Sequence, residues 1–396
     1  MKTRSLAPLL TLALGCSTLR QPGGPIAATA PPPLTPPQIA VLIGPRVKQR
    51  AAWASAVADA LAGNEVAADP PSVCAVLAII GQESTFEENP VVPGLAKMVA
   101  SRMESYRSRL GPLGGPIFTR VLAGRTPPDP RTFDDRLRVV RTERDLDLVF
   151  RDMLAYYRSK YPGTLDAVAM AGKLFDVHDL AELNPITTAG PMQVSVRFAE
   201  DWARDHHGQV ATVRDSLYTR TGGVYYGTAR LFAHQAAYPR MLFRFADYNA
   251  GVYASRNAAM QAQVARLVGT KLALDGDVLG YGKDGEPDNE DTRTMQAIRL
   301  FRDRYQPRLS DRRLSDDAHQ EKTLAFENTD TYRAIKTVYA TRLGMPPEYA
   351  TLPQVELESP KLSRKLSTAW FAQAVDRRFQ SCLAAAGWQE APMPTR

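Results

Sequence analysis

The 396-residue sequence has little of what most catalytic motifs and metal sites are built from: five histidines and three cysteines in all. The histidines, including the adjacent pair His206 and His207, nowhere fall in an H-E-x-x-H spacing, so a helical zinc-hydrolase site is excluded. There is no G-x-S-x-G, and with it goes the strained nucleophile elbow of serine hydrolases. Lys and Arg exceed Asp and Glu, 49 to 42, but no single basic block is long enough to read as a nucleic-acid arm. No internal repeat stands out. The 44% hydrophobic and 23% charged residues are ordinary globular values, which exclude wholesale disorder, a collagen-like fibre and a polytopic membrane protein.

The N-terminus carries more information. Lys2 and Arg4 precede an apolar run, Leu6 to Gly15, too short to span a bilayer but suited to an export signal. It ends Ala13-Leu14-Gly15-Cys16, which resembles a bacterial lipobox, with Ala13 where Leu is commoner. The resemblance implies a signal over residues 1–15, a lipid on Cys16, and, with Ser17 next, sorting to the periplasmic face of the outer membrane. Residues 16–40 are rich in Pro, Gly, Ala and Thr and read as an extended tether. The two other cysteines, Cys74 and Cys382, would meet an oxidising compartment. A long-range disulfide and an inert buried thiol in the apolar run around Cys74 are both open.

Helical patterning begins at Val47–Leu61, with Trp53, Val57 and Leu61 on one face and Gly63-Asn64 as the stop. In the next helix Asp69 is the N-cap, Pro70 opens the first turn, and Val73, Val76, Leu77 and Ile80 recur at helical spacing. Glu83 continues that stripe at the helix C-terminus, where the macrodipole disfavours negative charge and partial desolvation acts in the same sense. Both effects favour a protonated acid.

Three short motifs then occur in order: Glu83-Ser84-Thr85-Phe86, Gly190-Pro191-Met192-Gln193, and Ala246-Asp247-Tyr248-Asn249-Ala250-Gly251. Together they resemble the E-S-x-F, G-L-M-Q and A-Y-N-A-G motifs of the soluble lytic transglycosylases, peptidoglycan-cleaving enzymes with a lysozyme-like helical fold. Glu327-Asn328-Thr329-Asp330-Thr331-Tyr332 is similar to the closing E-T-x-x-Y segment and precedes an amphipathic helix, Ile335 to Leu343. The chain departs from the pattern at Pro191, where Leu is usual, at Asp247, where a small apolar residue is usual, and in the long stretch separating the first two motifs.

The resemblance implies a mainly α, lysozyme-like core over residues 41–345, with helical insertions at about 87–185 and 261–325, and a C-terminal helical extension at 346–396. The first insertion carries one strong amphipathic helix marked by Leu146, Val149, Phe150, Met153, Leu154 and Tyr157. The region Gly222 to Arg240 reads as a core helix ended by Pro239, and the extension as one helix with Leu366, Trp370, Phe371, Ala374 and Phe379 on its packing face. The loop Asp275–Asp291 contains a G-x-G-x-x-G at Gly280–Gly285, but acidic residues and Pro287 follow it, so no helix N-terminus waits for a phosphate. Its Asp275, Asp277, Gly280 and Glu286 fall in an EF-hand-like register broken by Leu279, and a solvated loop is the preferred reading.

Carried over residue by residue, the resemblance makes Glu83 the acid and base. Tyr248 stands beside it; Met192, Gln193 and Asn249 line the saccharide cleft, and Ser84 and Thr188 support it. No metal or cofactor is expected. The implied partners are peptidoglycan glycan strands and, through the lipid anchor, the outer membrane; nothing points to nucleic acid or to an identifiable protein. Two alternatives stay open: a hydrolytic muramidase, if the Asp247 carboxylate orients water beside Glu83, and a wall-binding lipoprotein that does not cleave.

Overall fold

The computed structural model describes residues 32–109, 111–160, 184–282, 285–357 and 366–388, and these are mainly α. The first half runs α1 (Pro36–Leu42), α2 (Arg50–Gly63), α3 (Pro70–Glu83), α4 (Leu95–Arg109), α5 (Gly111–Leu122), α6 (Phe133–Leu137) and α7 (Glu143–Lys160). A tight antiparallel pair, β1 (Thr188–Ala189) and β2 (Val194–Ser195), leads into α8 (Val196–Asp205), α9 (Val210–Leu217), α10 (Arg220–Phe232), α11 (Met241–Ala250) and α12 (Ala254–Val268). There follow the pair β3 (Gly280–Tyr281) and β4 (Pro287–Asn289), then α13 (Arg293–Tyr305), α14 (Asp311–Ala318) and α15 (Asp330–Leu343). A last pair, β5 (Glu356–Leu357) and β6 (Leu366–Ser367), delivers α16 (Thr368–Ala385). The export signal, Cys16 and most of the tether lie outside the described residues.

Helix α3 is the middle of the larger core. Asp69 Oδ1 accepts the Ser72 amide at 2.8 Å, satisfying one of the orphan donors of the first turn, and Pro70 has no amide to waste. Every residue from Val73 to Ile80 is buried, which is the mark of a helix enclosed on all sides rather than laid on a surface. Helix α2 covers it on one side through Trp53, Val57 and Leu61, and α16 covers another with Phe371, Val375 and Phe379. Each large apolar side chain so enclosed contributes about 1.5–3 kcal/mol. Cys74 of α3 is disulfide-bonded to Cys382 of α16, Cα to Cα 5.5 Å, which closes the alternative of an inert thiol.

Four expectations need correction. The stretch read as tether ends early: Thr35 and Gln38 form a capping box, α1 follows, and Ile39 is buried in the core. Helix α10 stops at Phe232, well before Pro239, because the Arg244 guanidinium reaches back to the carbonyls of Leu231 and His234 (3.0 and 2.9 Å) and takes up the last turn's orphan acceptors. Trp370 faces outward, 38% exposed, while Phe371, Ala374 and Phe379 pack inward. The start of the loop after α12 is not a solvated turn: Val278 and Leu279 are buried.

That loop belongs to a second hydrophobic cluster, built by Met260, Val264, Ile298, Phe301, Leu314, Phe326 and Ile335 of the region from α12 to α15. Its centre is polar. The Glu321 carboxylate accepts from the amides of Val278 and Leu279 (2.7 and 2.8 Å), the Tyr281 hydroxyl (2.8 Å) and the Asn257 amide (3.0 Å). Arg256, wholly buried, donates to the carbonyls of Glu321 and Thr323 (2.6 and 2.9 Å) and lies over the Tyr253 ring.

Candidate functional site

Glu83 is the last residue of α3 and is half-buried. The helix closes behind it: the Ser84 amide bonds the Ile80 carbonyl at 3.1 Å, and the Ser84 hydroxyl turns back to that same oxygen at 3.1 Å. Ser84 is therefore a buried helix terminator and not a cleft residue. Thr85 and Phe86 both adopt left-handed backbone (φ 54° and 63°), a conformation that costs L-residues roughly 1–2 kcal/mol each. The Phe86 ring meets Trp53 edge-on at 5.6 Å, and this packing offsets part of the strain. The double reversal leaves Glu83 at a sharp corner of the chain.

The β1–β2 turn carries the second motif. Gly190 (φ 78°) runs so close to Leu217 that a Cβ would lie 1.9 Å from its carbonyl oxygen, so only glycine fits. Met192 is fully buried and its sulfur packs where a Cβ on Gly227 would stand. Gln193 also has positive φ, 50°. Its Nε2 donates to Glu143 Oε2 at 2.9 Å and to the Gly190 carbonyl at 3.3 Å, while its Oε1 accepts from the Thr188 hydroxyl at 3.1 Å.

Tyr248 completes the arrangement from α11. Its hydroxyl donates to the Met192 carbonyl at 2.8 Å, tying α11 to the turn. Burial pushes its phenol well above the ordinary tyrosine range, and the Glu83 charge adds to the shift, so the acid and the phenol share one electrostatic environment. Half-buried Arg230 of α10 is held below its ordinary pKa by desolvation, opposed by Tyr248 and Asp247. The neighbouring Asp247 faces another way. Its Oδ1 accepts the Ser255 amide at 2.7 Å, and its Oδ2 meets the Tyr238 hydroxyl at 2.5 Å and His234 Nε2 at 3.2 Å. Asn249 is exposed on the far end of α11, and its Oδ1 accepts from the Thr368 hydroxyl of α16 at 2.9 Å.

Residues 46–385 match the model of a family described as "Protein of unknown function (DUF1615)". The chain belongs to this family. It is 35% identical over 339 residues to "Uncharacterized protein YaiW" of Escherichia coli (strain K12), an alignment covering 85% of this chain and 86% of that protein. No solved structure matches the chain. The family's span contains every candidate site residue except Cys16, together with both halves of the disulfide.

Of the expected site, Thr188 and Gln193 are hydrogen-bonded to each other and Tyr248 to Met192 on the same turn, Glu83 reaches this group through its electrostatic effect on Tyr248, and Ser84 and Asn249 bond helix ends. What sequence reasoning missed is Glu143, buried to 6% exposure in the first turn of α7. The Thr142-x-x-Asp145 pattern announces a helix start there, with Thr142 Oγ1 accepting the Asp145 amide at 3.1 Å, but nothing local tells that Glu143 turns inward. Helix α7 is fixed by buried Asp147, which pairs with Arg151 (3.0 Å) and with Arg214 of α9 (2.8 Å). Among the described residues no group of three His, Cys, Asp or Glu side chains could hold a metal ion, and no helix is long and apolar enough to cross a membrane.

Proposed function

We propose that the protein is a peptidoglycan lytic transglycosylase with a lysozyme-like catalytic core, cleaving the MurNAc–GlcNAc bond to leave 1,6-anhydromuramic ends. What supports this reading is that Glu83, at the end of a buried helix, acts electrostatically on a buried Tyr248 whose hydroxyl is anchored on the turn that bears Gln193. In the reaction, the Glu83 carboxyl gives its proton to the glycosidic oxygen, the bond to C1 breaks, and the electron pair leaves with GlcNAc. The substrate's acetamido oxygen supports the cation at C1. The Glu83 carboxylate then takes the proton of the 6-hydroxyl, whose oxygen closes on C1, so no water is consumed and the acid is restored.

Tyr248 stays protonated at neutral pH and holds the Met192 carbonyl, which fixes the turn beside the acid. The engagement of both Asp247 oxygens by Ser255, Tyr238 and His234 favours this route over hydrolysis, since neither is offered to a water beside Glu83. Lipid attachment at Cys16 would hold the enzyme at the periplasmic face of the outer membrane, within reach of the wall.

A positioned carboxyl acid contributes about 10²–10⁴-fold to rate. Glu83→Gln is therefore expected to lower anhydro-muropeptide release from sacculi by that factor, with an unchanged circular dichroism melt. Equal release would remove Glu83 from its role, and reducing-end products without anhydro ends would replace the lyase by a muramidase. A wall-binding protein without turnover is the second reading, favoured by the internal commitment of the Gln193 amide; sacculus pull-down without clearing in a zymogram would establish it.

A further inference from the structure

We infer that Glu143 is a positioning residue of the candidate site, acting through Gln193 to decide which end of that amide faces a bound amino-sugar. This rests on the proposed function and deepens it. The Glu143 Oε2 oxygen accepts from Gln193 Nε2 at 2.9 Å, which turns the NH₂ end of that amide toward Glu143. The carbonyl end is then set toward Thr188, whose hydroxyl donates one bond at 3.1 Å. An amide oxygen has two lone pairs, and the second is left as an acceptor of fixed direction, suited to the N–H of an acetamido group or a sugar hydroxyl.

The setting is rigid. Gln193 sits at positive φ in a two-strand turn pinned by Gly190 beneath Leu217, and Tyr248 holds the preceding carbonyl. Glu143 itself is buried at the head of α7, which Asp147 clamps to α9 through Arg214. The long segment between the first two motifs thus supplies a carboxylate to the turn of the second. Without it only the longer 3.3 Å bond to the Gly190 carbonyl holds the NH₂ end, and the amide loses its main restraint against a half-turn that would present a donor in place of the acceptor.

The test compares Glu143→Leu, Glu143→Gln and Thr188→Val in the full chain, measuring steady-state turnover of purified glycan strands and binding of a chitin oligosaccharide to each. Misplacement of this kind costs up to about a hundredfold. Glu143→Leu and Thr188→Val are each expected to raise KM roughly tenfold or more, with the pH dependence of kcat unmoved because Glu83 still transfers the proton. Glu143→Gln, which keeps an acceptor for Nε2, recovers most of the loss. Wild-type KM and oligosaccharide affinity in a folded Glu143→Leu protein would overturn the inference, as would a shifted acid limb of kcat, which would make Glu143 a proton-transfer group instead. If Glu143→Leu does not fold, Glu143→Ser, too short to reach Gln193, takes its place: unchanged KM refutes the assignment. Absence of both cleavage and oligosaccharide binding in the wild type would instead sink the proposed function, a different outcome from equal kinetics among variants.

Discussion

The two hydrophobic clusters of this molecule are built on opposite principles. Around α3 the chain buries an unbroken apolar helix between two others, capped at its start by Asp69 and closed by the buried Ser84. Around α12 the buried face holds Ser255, bonded to the Phe243 carbonyl of α11, and Arg256, Asn257, Gln261 and Gln263, each held by specific hydrogen bonds to segments that follow it. The first is non-directional and tolerant in detail; the second fails at once if a single partner is lost, because an unsatisfied buried donor carries its whole desolvation cost. The candidate site sits on the apolar cluster. Glu83 stands at the end of the apolar helix, whereas the polar cluster ties loops to α12.

Three measurements break or sharpen this contrast. The largest effect is expected at Arg256. Replacing it by Met empties a site lined by the Glu321 and Thr323 carbonyls and leaves Glu327 without its 3.4 Å partner, at a cost of roughly 3–5 kcal/mol. Hydrogen exchange should show the loss in residues 275–281 and α15, with α3 still protected; uniform loss would make the two clusters one cooperative unit. Next comes the disulfide. Cys74→Ala with Cys382→Ala should lower stability by about 2–5 kcal/mol, read as a urea midpoint, and the loss should spare α13 to α15 in exchange.

The smallest effect is a pH dependence. Burial holds His234 below the ordinary imidazole value, outweighing the Asp247 hydrogen bond that pulls the other way. As pH falls below about 6.5 the unfolded chain takes up this proton before the folded one does, so stability declines on the acid side. His234→Asn, which keeps a donor for Asp247, should flatten that part of the urea-midpoint profile between pH 7.5 and 5.5. An unaltered slope would place the acid sensitivity elsewhere.

The same contrast explains what could be read in the sequence. Helix α3, its Asp69 cap and its final Glu83 were legible because apolar periodicity and cap chemistry are local signals, and the mainly α character followed from several such helices. The short motifs marked where Gln193 and Tyr248 fall on one turn and helix, but not that the Ser84 hydroxyl bonds the Ile80 carbonyl or that Asn249 bonds Thr368 of a distant helix. Glu143, Arg256 and Glu321 were invisible. Each looks like an ordinary surface charge in the sequence, and only contacts from distant residues turn it inward. The loop at Val278 and Leu279 was misread for that reason: its anchor, Glu321, arrives much later in the chain.

Helix α16 packs along α3 and α11 although it comes far later in the chain than either. While the preceding segments emerge, Val76, Ile79 and Phe245 have no lid, and the acid-bearing helix cannot reach its mature environment. The topology places a high-separation contact at the heart of the fold, a pattern that slows folding. The core around α3 is therefore closed by a contact that forms only after a long intervening stretch of chain has been made.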